Sequence, residues 1–212
     1  MKKIYDISMS LENDMLIYPK DIPYERQMQR SFAKGDSSNV SCFTSTAHLG
    51  THVDSPLHYV KDGYGVEAMP LDQLVGPADV LDCTGHASVT AKLIEPMLKD
   101  DTQRVLFKTD NSLDLKKNPK GPFNRAFVFV SGCAAKLCLE RGIKSVAIDY
   151  LSIDESGNPA KSAHHILLEN NIAIIEGVLL ADIEPGRYFL SCLPLKMVGA
   201  DGAPARAVLI EM

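Results

Sequence analysis

The stretch Ala126-Phe127-Val128-Phe129-Val130, followed by Ser131 and then by Ser145-Val146-Ala147-Ile148-Asp149, sets the fold class. Two short runs rich in Val, Ile and Phe read as buried strands. Between them Ser131 supplies a helix N-cap, and Ala134, Leu137, Cys138 and Arg141 recur at helical spacing. Gly142 stands where a left-handed C-cap is expected. The spacing predicts a strand–helix–strand unit, with parallel strands joined by a right-handed crossover.

Working outward, residues 78–82 and 104–109 read as strands, and Thr90 caps a helix predicted over 91–99. Downstream, a helix over 162–170 feeds a strand over 172–176, and two further strands cover 188–192 and 207–211. Pro19, Pro23, Pro56 and Pro70 interrupt the first 75 residues, which are predicted to be irregular apart from a strand over 42–47. The whole reads as an α/β protein, a mixed sheet with packed helices. No Pro/Ser/Gly-rich linker divides the 212 residues, so one domain over 1–212 is expected.

Composition narrows the function classes. The chain is 45% hydrophobic and 23% charged, ordinary for a globular protein. Its net charge is −5, and its basic residues are scattered apart from the loop group Lys116, Lys117 and Lys120. A nucleic-acid partner is not expected, because phosphate binding needs concentrated positive charge. The five cysteines, an odd and uneven set, form neither a disulfide framework nor a paired Cys-x-x-Cys zinc site. Lys2 and Lys3 are followed by no apolar leader, and no run approaches the roughly 18 apolar residues of a membrane span. A cytoplasmic protein with no membrane partner is expected.

The chemistry concentrates in His48-Leu49-Gly50-Thr51-His52-Val53-Asp54-Ser55-Pro56-Leu57-His58. Gly50 and Pro56 disfavour a helix here, and an extended segment turns alternate side chains to one side. His48, His52, Asp54 and His58 all hold even positions, with Leu49, Val53 and Leu57 at odd ones. Polar groups on one side and apolar groups beneath suit a site for zinc, manganese or iron. Glu176 ends the apolar run 172–175, where a buried carboxylate is stable only when paired or bound to metal. Of His164 and His165, about 100° apart on a helix, normally only one can reach a site, and the twelve-residue separation from Glu176 favours His164. His86, after Thr84-Gly85, reads as a turn residue.

His-x-Gly-Thr-His-x-Asp-x-Pro-x-His, as it stands at 48–58, resembles the signature of the cyclase/arylformamidase family. The resemblance extends in order through 142–154, His164 with Leu167-Leu168, Ile175-Glu176-Gly177, Gly186-Arg187-Tyr188, Leu193-Pro194-Leu195 and Pro204-Ala205-Arg206-Ala207. It implies a fold of swivelling β/β/α type, a homodimer or higher homo-oligomer, and two divalent ions, zinc or manganese. By the same resemblance His48 and His52 bind one ion, Asp54 bridges both, His164 binds the second and Glu176 completes the site. His58 is then the acid/base group. The implied activity is metal-dependent amide hydrolysis of a small molecule, N-formyl-L-kynurenine, to L-kynurenine and formate. Isatin-type cyclic amides, lactones or a cyclase reaction are the alternatives within this chemistry, and a non-catalytic metal-binding protein the alternative outside it. Gly-x-Ser-x-Gly is absent, so a serine esterase of the α/β-hydrolase type is not indicated.

One segment departs from the family pattern. Kynurenine-specific members carry a tryptophan before Pro-Gly-Asp, whereas this chain has no tryptophan and reads Tyr18-Pro19-Lys20-Asp21. Tyr18 offers a flat apolar face with a polar tip and is the expected substrate contact. Lys20 adds a positive charge suited to a carboxylate-bearing substrate.

Overall fold

In the computed structural model, which describes residues 2–212, the first strands are β1 (Ile4–Asp6), β2 (Glu25–Arg30), β3 (Val40–Thr44) and β4 (His52–Asp54). They are followed by β5 (Val75–Asp82), β6 (Ser88–Val89), β7 (Arg104–Lys108) and β8 (Phe129–Val130). The last four are β9 (Ser145–Ile148), β10 (Ala173–Glu176), β11 (Gly186–Pro194) and β12 (Gly202–Glu211). Four helices, α1 (Ala91–Ile94), α2 (Asp110–Lys117), α3 (Gly132–Glu140) and α4 (Ser162–Leu168), lie among them.

β5, β7, β9 and β10 run parallel at the centre of an eight-stranded sheet of order β1-β12-β11-β5-β7-β9-β10-β4. Their side chains alternate between two apolar layers. Val105, Phe107, Val146, Ile148 and Ile174 pack beneath α3 and α4, against Ala134, Leu137, Cys138 and Leu167. Leu106, Ala147, Ala173 and Ile175 face the other way, onto Val53, Val80, Leu190 and Leu209. Burial on both faces is why these strands read as unbroken apolar runs. The sheet curls until β4 pairs with β10 on one side and β12 on the other, both antiparallel. That closure leaves β4 no free edge.

The strand–helix–strand unit differs from expectation at its first strand. α3 starts at the Ser131 cap, whose side chain accepts from the Ala134 amide, and Gly142 takes φ +66°. β9 forms as expected. Residues 126–130, however, are no sheet neighbour of β9. Only Phe129–Val130 is a strand, and it pairs with β6 in a separate two-stranded ribbon. β9 lies between β7 and β10, parallel to both, so the crossover that enters it runs from β7 through α2 and α3. The reason is a side chain that takes a strand's place. The Asn111 amide donates to the Val128 carbonyl and accepts from the Val128 amide, both at 2.8 Å, closing that backbone without a sheet partner.

Asn111 and both Val128 groups are buried, so Asn111→Ala strands a donor and an acceptor. A loss of about 2 kcal/mol or more is expected in urea unfolding. A loss within experimental error would show that the segment finds other partners.

Two other differences have simple causes. The helix predicted over 91–99 is one α-turn that tightens to 3-10 geometry at Glu95–Met97, where Pro96 contributes no N–H. The N-terminal third holds more than the one strand expected there, which forms as β3: β2 pairs with it in a ribbon and β1 edges the main sheet. β2, Glu-Arg-Gln-Met-Gln-Arg, has no buried face and thus no apolar alternation to betray it.

Candidate metal centre

β4 is three residues long and wholly buried. Its register sets Glu176 directly opposite His52 across β10, and Gly202 opposite Asp54 across β12. Val53 turns into the apolar layer, leaving His52 and Asp54 on the other face. The His52 Nε2 atom lies 3.4 Å from both Asp54 Oδ1 and Glu176 Oε2.

His48 does not arrive by simple alternation along an extended chain. Gly50 turns the backbone at φ +57°, bringing His48 Nδ1 to 2.8 Å from Asp54 Oδ1. The turn is pressed against Gly177, where a Cβ would lie 2.3 Å from the Gly50 carbonyl oxygen. Pro56–His58 then forms a 3-10 turn that sets the His58 ring 4.0 Å from that of His48. His164 enters from α4, its Nε2 3.3 Å from Glu176 Oε1 and 3.7 Å from Asp54 Oδ2. His165 points outward and pairs with Glu169. His86 is exposed and belongs to no ligand cluster.

Ligand-capable atoms thus fall into two groups, each within 4.8 Å, namely His48, Asp54, His58 and His52, Asp54, Glu176. Asp54 belongs to both, and His164 adjoins the second. His52 Nε2 and Asp54 Oδ2 are buried without a hydrogen-bond partner. Burying such atoms unmet is unfavourable, and a divalent cation among imidazoles and carboxylates would satisfy both. The donor set fits a metal.

The outward nitrogens are all held. His52 Nδ1 faces the Gly50 carbonyl at 2.9 Å and His164 Nδ1 faces Asp154 Oδ2 at 2.5 Å. His48 Nε2 faces Asp201 Oδ2 at 3.0 Å. Such outer partners fix which nitrogen is presented to an ion. The sequence reading assigned no role to Asp154, Asp201 or Tyr59, which stacks on His164 at 4.5 Å. Asp154 and Asp201 lie outside helices and strands, and no spacing rule links them to histidines. Tyr59 adjoins His58, a proximity that alone implies no role.

Burial opposes charge on His52, yet Asp54 and Glu176 hold its pKa up at about 10. Burial likewise opposes charge on His164, but Asp154 and Glu176 raise it to about 9. Burial and Asp54 both push Glu176 up, while His164 and His52 bring it down to about 2. Asp54 is held well below the carboxylate range by His48 and His52 despite its burial. His58 alone among these histidines is lowered, by burial first and then by His48 and His164.

These directions set a pH dependence. Metal ligation needs neutral imidazoles, so an ion held by His52 and His164 would displace their protons. Apparent affinity is expected to rise between about pH 6 and 9, approaching tenfold per unit for each proton displaced. Chelator competition across that range measures it, and a flat profile would contradict the cluster. In the metal-free chain both histidines stabilise the fold fully below their unfolded value near 6.5. That contribution fades as pH rises through about 9 and 10.

A cavity of about 230 Å³ opens onto the cluster, lined by Tyr18, Asp21, Tyr59 and Lys161 together with His48, His58, His164 and Glu176. The Tyr18 ring meets Phe123 edge-on at 5.1 Å. Lys20 is exposed and does not line the cavity, so the lysine facing it is Lys161. A larger cavity of about 510 Å³ lies between β1 and α2, but its charged groups include no ligand cluster. Among the described residues no helix is long and apolar enough to cross a membrane, and none of the five cysteines is bonded.

Residues 5–155 match a protein family described as "Putative cyclase". A kynurenine formamidase of Salinibacter ruber is 35% identical over 208 residues, spanning 97% of this chain and 96% of that protein. The structure of a predicted metal-dependent hydrolase from Bacillus stearothermophilus superposes with a TM-score of 0.84 at 33% identity, over 100% of each chain. Isatin hydrolase A of Ralstonia solanacearum shares the fold, with a TM-score of 0.84 at 20% identity over 100% of this chain and 92% of that one.

Proposed function

The chain belongs to the cyclase family, and from that membership we propose a metal-dependent amidohydrolase that converts N-formyl-L-kynurenine to L-kynurenine and formate. It is a hydrolase acting on carbon–nitrogen bonds, with a small-molecule substrate. The observation that carries the substrate-cleaving role is the buried pair of unpartnered atoms, His52 Nε2 and Asp54 Oδ2, beside a cavity large enough for an aromatic ring.

In this reading His48 and His52 hold one divalent ion, His164 a second, Asp54 serves both and Glu176 completes the set. Zinc and manganese suit these ligands. When bound, the ions supply an acidified water and a counter-charge for the oxyanion. His58 takes the water's proton at Nε2, the nitrogen turned away from Asp201, as the C–O bond forms, and delivers it to the departing arylamine as the C–N bond breaks. Its lowered pKa keeps it unprotonated, and so a base, at neutral pH. Tyr18 lies against the aromatic ring in place of the family's tryptophan. Lys161 and Asp21, a cation and an anion that both line the cavity, suit the carboxylate and ammonium of an α-amino acid.

The role accords with one catalytic domain over 1–212, acting in tryptophan catabolism in the cytoplasm as a homodimer or higher homo-oligomer. A turnover panel of N-formylkynurenine, isatin and simple lactones, with zinc or manganese restored to stripped protein, tests it. Fastest turnover is expected on N-formylkynurenine. No turnover of that compound by metal-loaded protein overturns the reading, and preference for isatin or a lactone replaces it.

A further inference from the structure

Asp201 is neither metal ligand nor proton carrier in the scheme above. Its carboxylate nonetheless sits where two of the site's histidines can be governed by one group. Asp201 Oδ2 lies 3.0 Å from His48 Nε2 and 3.5 Å from His58 Nδ1. The rings it faces are stacked 4.0 Å apart at 33°. We propose that Asp201 is a positioning residue that sets the ring orientation of His48 and His58 together, coupling a metal ligand to the proton carrier.

The other outward acceptors differ from Asp201. The Gly50 carbonyl serves only His52, and Asp154 only His164 among the histidines. Both act inside the protein. Asp201 hydrogen-bonds one ring, lies 3.5 Å from the second, and is half exposed, with 46% of its side chain open to solvent.

The main chain fixes this carboxylate. The Asp201 carbonyl accepts from both the Ser55 amide and the Ser55 hydroxyl at 3.0 Å, tying its turn to the residue after Asp54. Gly202, next in sequence, is paired with Asp54 across β12 and β4. A Cβ on Gly202 would lie 2.8 Å from His48 Cε1, so glycine there lets the turn close over the ring. The side chain is delivered to the histidines by the same register that builds the cluster.

A carboxylate accepting from His48 Nε2 leaves Nδ1 as the nitrogen turned to Asp54 and to any ion. The same oxygen beside His58 Nδ1 leaves Nε2 for the substrate side. Removing the carboxylate frees both rings at once. Metal affinity and the chemical step should therefore weaken together, although Asp201 touches neither ion nor substrate.

This proposal rests on the metal-site reading, and its first measurement needs no substrate. Zinc and manganese affinities of Asp201→Ala, Asp201→Asn and Asp201→Glu are compared with the parent by chelator competition. Asp201→Ala is expected to bind about 10- to 100-fold more weakly, with partial recovery in Asp201→Glu. In metal-saturated protein kcat should fall over the same range while KM stays within about twofold. Thermal unfolding of the metal-free protein should be unchanged. Parent-like metal affinity and kcat in Asp201→Ala overturn the proposal. So does a loss matched by destabilisation of the metal-free fold, which would make Asp201 a structural residue. If N-formylkynurenine proves not to be the substrate, the affinity series still decides the role of Asp201.

Discussion

Asp54→Ala is expected to lower turnover about 10³-fold or more and to reduce bound metal well below the parent's content. The size follows from position. Asp54 is fully buried and is the one carboxylate shared by both ligand groups. Its loss weakens both halves of the site, and several kcal/mol of charge stabilisation by metal correspond to about that factor in rate. Asp54→Asn separates charge from shape, since it keeps the volume between β10 and β12 while removing the anion. It should be nearly as inactive, with metal content again low. Thermal unfolding in the presence of chelator establishes that the fold survives. Turnover within tenfold of the parent in a folded Asp54→Asn protein would refute a shared carboxylate.

His58→Ala should show the opposite split. Turnover is expected to fall about 10²- to 10⁴-fold, the range for losing a positioned acid or base, while metal content holds. The split matters because His58 offers a nitrogen within reach of His48 and Asp54, and so stands among ligand-capable groups. Loss of metal along with activity would make it a ligand rather than the proton carrier. Burial and its histidine neighbours lower the pKa of His58, so its base form prevails at neutral pH. The parent's kcat should then decline only on the acid side of about 6.5, and that limb should vanish in His58→Ala. Unchanged function in His58→Ala would favour the non-catalytic metal-binding alternative.

Much of this was legible in residues. The central strands announced themselves because both faces are buried, and the caps Thr90 and Ser131 because a hydroxyl accepting a backbone N–H is a local device. β2 was not legible, since its exposed side chains carry no apolar period, although its partner β3 overlaps the strand expected over 42–47. The Asn111–Val128 exchange was hidden too, because an amide imitating a strand partner leaves no pattern in composition.

By itself the sequence determined the donor types, the α/β class and the segment 48–58 as the place where chemistry gathers. Those properties belong to side chains and to near neighbours along the chain. Only the tertiary structure decided which nitrogen each histidine presents, and that Glu176 faces His52. It also decided that a single aspartate, Asp201, lies beside both His48 and His58. These depend on sheet register and closure, where a shift of one residue on β4 would send His52 and Asp54 into the apolar layer. Such a register is set by the packing of Val53, Ile175 and Ala203 across three strands, contacts between residues distant in sequence.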